Sequence, residues 1–222
     1  IIAQTIKSRG LKARLTIVEP NAPWAGYQRI FSEQFRDQVN YLPNTRLRKI
    51  DPYQRIASLD IDDIRFDDAI LMPQQQAADI CRINGLNGSN SAWAAVNPRN
   101  FAFLGDERVF VIGDSVGPVS PLFGHYPKTG ELASRMGGIV ASEIIGRITG
   151  KPGELALPEG TCFAYLSMDP PQVVRIESRY RIRGDGNILQ NISQLRENNP
   201  QGEEDAWLNA WHGELFGVTA KR

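Results

Sequence analysis

Residues 131–150, ELASRMGGIVASEIIGRITG, place Leu132, Met136, Ile139, Val140, Ile144 and Ile148 at helical spacing, and Gly150 with Pro152 closes the run. A helix with such a stripe needs a second layer to cover it. Upstream, RVFVIGD (108–114) is a short apolar run of the kind that forms a buried strand. Strand, turn-rich connection and helix together predict an α/β chain, α+β overall. The stretch between them, VFVIGDSVGPVSPLFGHYPKTG (109–130), sets Gly113 and Asp114 at the strand's carboxyl end and Lys128, Thr129 and Gly130 at the helix's amino end. In open α/β sheets both are places where ligands bind.

The chemistry of those positions narrows the ligand. An ionised Asp114 is suited to accept hydrogen bonds from sugar or polyol hydroxyls; capping its own turn through the Ser115 or Val116 amides is an equally good reading. The start of a helix carries roughly half a positive charge and free N–H groups, which Lys128 reinforces, and Gly130 allows a close approach to the backbone. Neither G-x-G-x-x-G nor G-x-x-x-x-G-K-[ST] occurs, so a pyrophosphate held on this helix is not expected.

Composition removes other classes. Of 222 residues, 25 are basic and 25 acidic, so no net field draws the chain to nucleic acid or an anionic membrane. The longest apolar runs are strand-sized, far below the roughly 20 residues of a membrane span. His125 and His212 stand apart with no ligand-spaced partner, which argues against a zinc or iron site and a Ser-His-Asp triad. Cys81 and Cys162 form neither a CxxC pair nor a disulfide framework.

Along the chain, Ile2, Ile6 and the stem of Arg9 fit a short helix stopped by Gly10, and ARLTIVEP follows as a buried strand. This reads as the second half of a β-α-β unit whose first strand lies upstream, so the chain is expected to be the carboxyl-terminal part of a longer protein. YQRIFSEQFRDQV predicts a helix with Tyr27, Ile30, Phe31 and Phe35 on one face. TRLRKI, QRIASLD, DIRF and DAILM predict a run of short strands, and a helix bearing Cys81 should stop near Gly85. TCFAYLSMDPPQVVRIESRYRI predicts two strands around an Asp-Pro-Pro turn. NISQLRENNPQGEED reads as a polar linker, and DAWLNAWHGELFG as a terminal aromatic helix.

The order RLTIVEP, FDDAILMPQQQAADICRINGL, SAWAAVNPRNF, VFVIGD, YPKTG, GTCFAYL, WLNAWHGELFG, spread over nearly the whole chain, resembles the flavin subunit of flavocytochrome c sulfide dehydrogenases. These are FAD-linked oxidoreductases with two dinucleotide-binding domains. The resemblance implies part of a second nucleotide-binding-type lobe with a β-meander at 1–72, the carboxyl-terminal part of the FAD-binding lobe at 73–150, and a flavin-facing interface domain at 151–222. It implies FAD as cofactor, with Gly113 and Asp114 on the ribityl chain and Lys128, Thr129 and Gly130 at the pyrimidine edge, where positive charge stabilises reduced flavin. Pro73 and Gln74 would lie in a loop near the flavin, a plain strand-to-helix turn being the equal alternative; Trp207 would be an aromatic beside it, with packing of the terminal helix as its alternative, and Trp211 itself reads as core. Cys162 would be half of a redox-active disulfide and the sulfur-handling residue, which requires a lowered thiol pKa; an inert buried cysteine is the alternative. A cytochrome c subunit would take the electrons, in the periplasm.

The sequence departs from that family in lacking the Gly-rich ADP loop and in having a longer Gly-Asp to Pro-Lys connection. Cys81 does not match the partner cysteine. Glu19, at the end of LTIVE, occupies the place of a ribose-binding acid but reads as a surface acid without that loop. A sulfide:quinone reductase-like flavoprotein and a cofactor-free module that docks a cytochrome or a second subunit are the alternatives.

Overall fold

Gly10 adopts φ +59 and ends helix α1 (Ile2–Ser8), which buries Ala3 and Ile6 as its spacing predicts. The computed structural model describes residues 1–23, 25–151, 153, 156–168, 170–198 and 200–217. Two units follow from its contacts, Ile1–Pro73 and Gln74–Arg222.

In the first unit, strand β1 (Leu15–Val18), helix α2 (Ala25–Gln34) and strand β2 (Val39–Leu42) form a parallel β-α-β crossover in which Leu15 pairs with Val39 and Val18 with Leu42. The sequence predicted helix through Val39 and no strand there. Val39 is buried and β-branched, and the ladder with β1 claims it. The aromatic face of α2 is as expected: Tyr27 stacks on Phe31 at 5.9 Å, Phe31 meets the edge of Tyr41 on β2 at 5.4 Å, and Ile30 and Phe35 are buried. Glu19 is held locally, its Oε1 accepting from the Asn21 backbone N–H at 3.0 Å and from Asn21 Nδ2 at 2.7 Å.

A three-stranded antiparallel meander completes this unit, with order β3 (Leu47–Asp51), β4 (Ile56–Leu59), β5 (Asp63–Arg65). The fourth strand expected over DAILM does not form, and Ile70 and Met72 are 84% and 81% exposed. A run that is apolar on both faces needs neighbours on both faces, as in a parallel sheet, and no described strand lies beside it.

The second unit opens with helix α3 (Asp79–Ile83), which buries Cys81 and gives way to Gly85 at φ +67. Strands β6 (Ala102–Phe103) and β7 (Asp106–Phe110) form a small antiparallel pair. RVFVIGD is therefore corrected: the strand begins and ends earlier than expected and is partly exposed. Gly113 and Asp114 belong to a 3-10 turn, Gly113–Ser115, beyond it. The cause is the same as for DAILM, since only β6 pairs with β7 and Ile112 is 41% exposed.

Helix α4 (Gly130–Thr149) has Thr129 as N-cap and Gly150 in the left-handed region as C-cap. Pro152, expected to reinforce this stop, lies outside the described residues. Leu132 and Met136 enter the core beside Phe101, Val111, Tyr126 and Tyr180, each such burial worth roughly 1.5–3 kcal/mol. The stripe fails further along, where Ile144 and Ile148 are 39% and 79% exposed. There Arg147 ties α4 to β7 instead, donating to the Glu107 backbone oxygen at 2.7 Å and lying over the Phe110 ring.

Three long antiparallel strands follow, β8 (Gly160–Met168), β9 (Pro171–Ile182) and β10 (Ile188–Asn198), with β9 central. The first two match expectation, and Asp169 of their turn lies outside the described residues. β10 corrects the linker predicted over NISQLRENNPQGEED, because Asn198 through Ile188 pair residue for residue with Gln172 through Ile182. As an edge strand in which, among the described side chains, only Ile188 is well buried, it tolerates the polar composition that hid it. Helix α5 (Glu203–Phe216) ends at Gly217. No helix among the described residues is long and apolar enough to cross a membrane.

Candidate functional site

Of the expected site residues, Gly113, Asp114, Lys128, Thr129 and Gly130 come together at the first turn of α4. Thr129 is spent on the helix itself, its Oγ1 accepting from the Leu132 N–H at 3.3 Å. Gly113, at φ +67, packs its backbone so close to the helix that an added Cβ would lie 3.3 Å from Ala133 Cβ. Gly130 is covered by Trp211, whose Cη2 and Cζ2 would lie 3.1 and 3.3 Å from a Cβ there. Trp211, expected in the core, thus sits on the helix start.

Lys128 does not project into open space. Its ammonium donates to the backbone oxygens of Asp114 (2.7 Å) and Val116 (3.1 Å) and lies 3.9 Å from the ring centroid of Trp93. Burial pushes its pKa down, with the Asp114 carboxylate opposing. Asp114 itself is exposed, and among the described residues no hydrogen bond engages its carboxylate. His125 completes the cluster. Its ring meets Trp93 edge-on at 5.2 Å, its Nδ1 is buried without a partner among the described residues, and burial followed by the Lys128 charge lowers its pKa. The turn is further tied through Ser115, whose Oγ accepts from the Ala78 N–H at 3.1 Å.

Cys162 lies on β8, half-buried and unpaired. The neighbouring Thr161 N–H donates to Glu131 Oε2 at 2.9 Å, so the second residue of α4 is pinned to this strand. Burial, and then the Glu131 carboxylate, push the Cys162 thiol up. That is opposite to the lowered value a thiolate nucleophile requires. Trp207 meets Phe163 at a tilt, with ring centroids 5.7 Å apart, and stacks against Trp211 at 6.1 Å. Successive strand residues face opposite sides, so Cys162 points away from the face that Trp207 covers. Pro73 and Gln74 lie in exposed coil where the two units divide.

Sequence reasoning missed Glu131, Trp93 and the placement of Trp211. An acid in the first turn of a helix was a visible signal for Glu131; the other two meet their partners only through the fold. Beside Glu131 opens a cleft of about 720 Å³, lined by Arg135, Gly160, Thr161, Ser178 and Arg179 among others. No cluster of His, Cys, Asp and Glu able to hold a metal occurs among the described residues.

No protein-family model matches the sequence, and no curated protein does. Solved structures are similar to it at low identity, among them the following two. The reduced CoADR-RHD of Bacillus anthracis aligns with 13% identity and a TM-score of 0.48, over 100% of this chain and 47% of that one. A NAD-dependent persulfide reductase from A. fulgidus aligns with 14% identity and a TM-score of 0.52, over 88% of this chain and 40% of that one. The chain thus spans less than half the length of either structure, and what it shares with the persulfide reductase is its fold.

Proposed function

We propose that the chain forms part of an FAD-dependent oxidoreductase that takes electrons from sulfide or a related reduced sulfur compound and passes them to a cytochrome c. The observation that carries the reading is the joining of the Gly113–Ser115 turn, Lys128 and the start of α4 into one hydrogen-bonded corner. A persulfide reductase of the same fold supports sulfur redox chemistry as the reaction class.

The residues at this corner fit one end of a flavin. Asp114 offers a carboxylate with no hydrogen bond among the described residues, suited to ribityl hydroxyls, and the amino end of α4 offers N–H groups and a favourable dipole to an anionic ring edge. Bound there, a flavin would accept two electrons and release them singly. Lys128 acts from behind the turn in this reading, fixing the Asp114 backbone and adding positive charge without touching the ligand. Burial first and the Glu131 carboxylate second push the Cys162 thiol up, so sulfur chemistry on it needs both to be offset.

This chain lacks the Gly-rich ADP-binding loop and is expected to hold FAD poorly by itself, so the test is addition of FAD followed by sulfide to the longer flavoprotein that carries that loop. Loss of the flavin's visible absorption, abolished in Cys162→Ser, and onward reduction of cytochrome c rather than a quinone are expected. Full-rate bleaching in Cys162→Ser removes the cysteine from the reaction, and quinone reduction alone favours the quinone-linked alternative.

A further inference from the structure

The terminal helix α5 is attached in an unusual way. It places no residue among the buried set, and Gly202 at its start adopts φ +93 with open space around it and no side-chain cap. Its contacts are few and polar or aromatic. Glu204 Oε1 accepts from the Tyr165 hydroxyl at 2.6 Å, Trp207 meets the Phe163 ring at a tilt, Trp211 covers Gly130, and Glu214 pairs with Arg135 at 2.8 Å. That last pair is exposed on both sides, at 44% and 53%, and such pairs contribute little.

The docked position also leaves polar atoms stranded. Glu204 Oε2, Trp207 Nε1 and Trp211 Nε1 are buried with no hydrogen-bond partner among the described residues. They recur at i, i+3 and i+7, so they lie along the one face of α5 that is pressed down. A buried donor or acceptor without a partner opposes the contact that buries it, and water would satisfy all three if the helix lifted. Trp211 lies against the position a Cβ on Gly130 would take, and in that first turn the Gly130 and Glu131 N–H groups make no hydrogen bond among the described residues, whereas Thr129 Oγ1 already holds the Leu132 N–H.

We propose that α5 is a lid: its present position closes the amino end of α4 with Trp211, and a swing about Gly202 opens that end to an anionic ligand edge. The motion rests on the contacts of α5 itself, and only the identity of what enters rests on the flavin reading above. Trp211 is then a residue that controls access, and the Arg135–Glu214 pair is its latch.

Hydrogen exchange on the full chain, with and without FAD, tests this. The amides of α5 should exchange at least ~100-fold faster than those in the first half of α4 and in β9, as for a locally opening element. Glu214→Gln should raise α5 exchange by about threefold, the effect of losing an exposed ion pair, and leave β8 to β10 unchanged. The same variant, and Trp211→Phe independently, should speed FAD association. Exchange of α5 at the rate of α4, unmoved by Glu214→Gln, overturns the lid even if FAD binds. Fast, latch-dependent exchange of α5 with no FAD bound by any variant keeps the lid and, in a protein that also carries the Gly-rich ADP-binding loop, sinks the flavin reading.

Discussion

The ammonium of Lys128 lies 2.7 Å from the backbone oxygen of Asp114, so two residues placed 14 positions apart as separate grips on a ligand are first of all bonded to each other. One side chain closes the turn by two charge-assisted bonds and rests on the face of Trp93. Lys128→Met should therefore lower unfolding stability by about 1–3 kcal/mol, from the lost bonds and cation–π contact. Lys128→Arg should recover only part of it, because a planar guanidinium does not replace a compact ammonium between two carbonyls. Urea unfolding midpoints measure both, and a Lys128→Met midpoint equal to wild type would refute the clamp.

His125 sits against the same clamp and makes it sensitive to acid. Burial, then the Lys128 charge, hold its pKa below 6.5, while a backbone bond to Val116 pulls the other way. As pH falls through about 6.5 the unfolded chain takes up this proton and the folded chain resists it. Stability is complete above that value and declines as pH drops below it toward the folded pKa. His125→Gln should flatten this decline in pH-dependent thermal unfolding. A wild-type curve that is already flat from pH 7 to about 5 would contradict it.

The parts of the fold legible in the sequence are those set by local rules. Gly10, Gly85 and Gly150 stop helices at positive φ where their positions said they should. TCFAYL and VVRIESRYRI pair as adjacent strands. What failed was long-range. VFVIGD and DAILM have the composition of central parallel strands, yet pairing depends on neighbours that a run cannot name. β10 failed in the opposite sense, since a polar edge strand carries almost no signal of its own until β9 is there to pair with. At the candidate site, their places at a strand end and a helix start singled out Asp114, Lys128 and Gly130, and the fold brings Lys128 onto the Asp114 backbone. Those places could not say that Lys128 turns onto a backbone or that Trp211 comes 81 residues along the chain to cover Gly130.

Cys162 is expected to be a slow nucleophile as the chain stands. Burial raises its thiol pKa and the Glu131 carboxylate raises it further. Glu131→Gln keeps a hydrogen-bond acceptor for the Thr161 N–H but removes the charge, so it should shift the pH profile of Cys162 alkylation to lower pH. Cys81, 3% exposed, should not react in the folded protein and does not confuse the readout. An unchanged profile in Glu131→Gln would leave burial as the sole cause.

Two glycines beside α4 should respond to the same substitution in opposite ways. A Cβ on Gly160 would run into Leu132 and come within 3.3 Å of Glu131 Oε2. Leu132 is 3% exposed and has nowhere to move, so Gly160→Ala should cost about 1–3 kcal/mol by overpacking. A Cβ on Gly130 meets only the rim of Trp211, at 3.1 and 3.3 Å, on a helix that buries nothing fully. Alanine is also the better helix former, by up to roughly 1 kcal/mol. Gly130→Ala should therefore change global unfolding by less than about 1 kcal/mol while raising hydrogen exchange along α5, because Trp211 gives way rather than α4. If Gly130→Ala destabilises the chain as much as Gly160→Ala, Trp211 is fixed in the core, and the contact between α5 and α4 is packing with no gate in it.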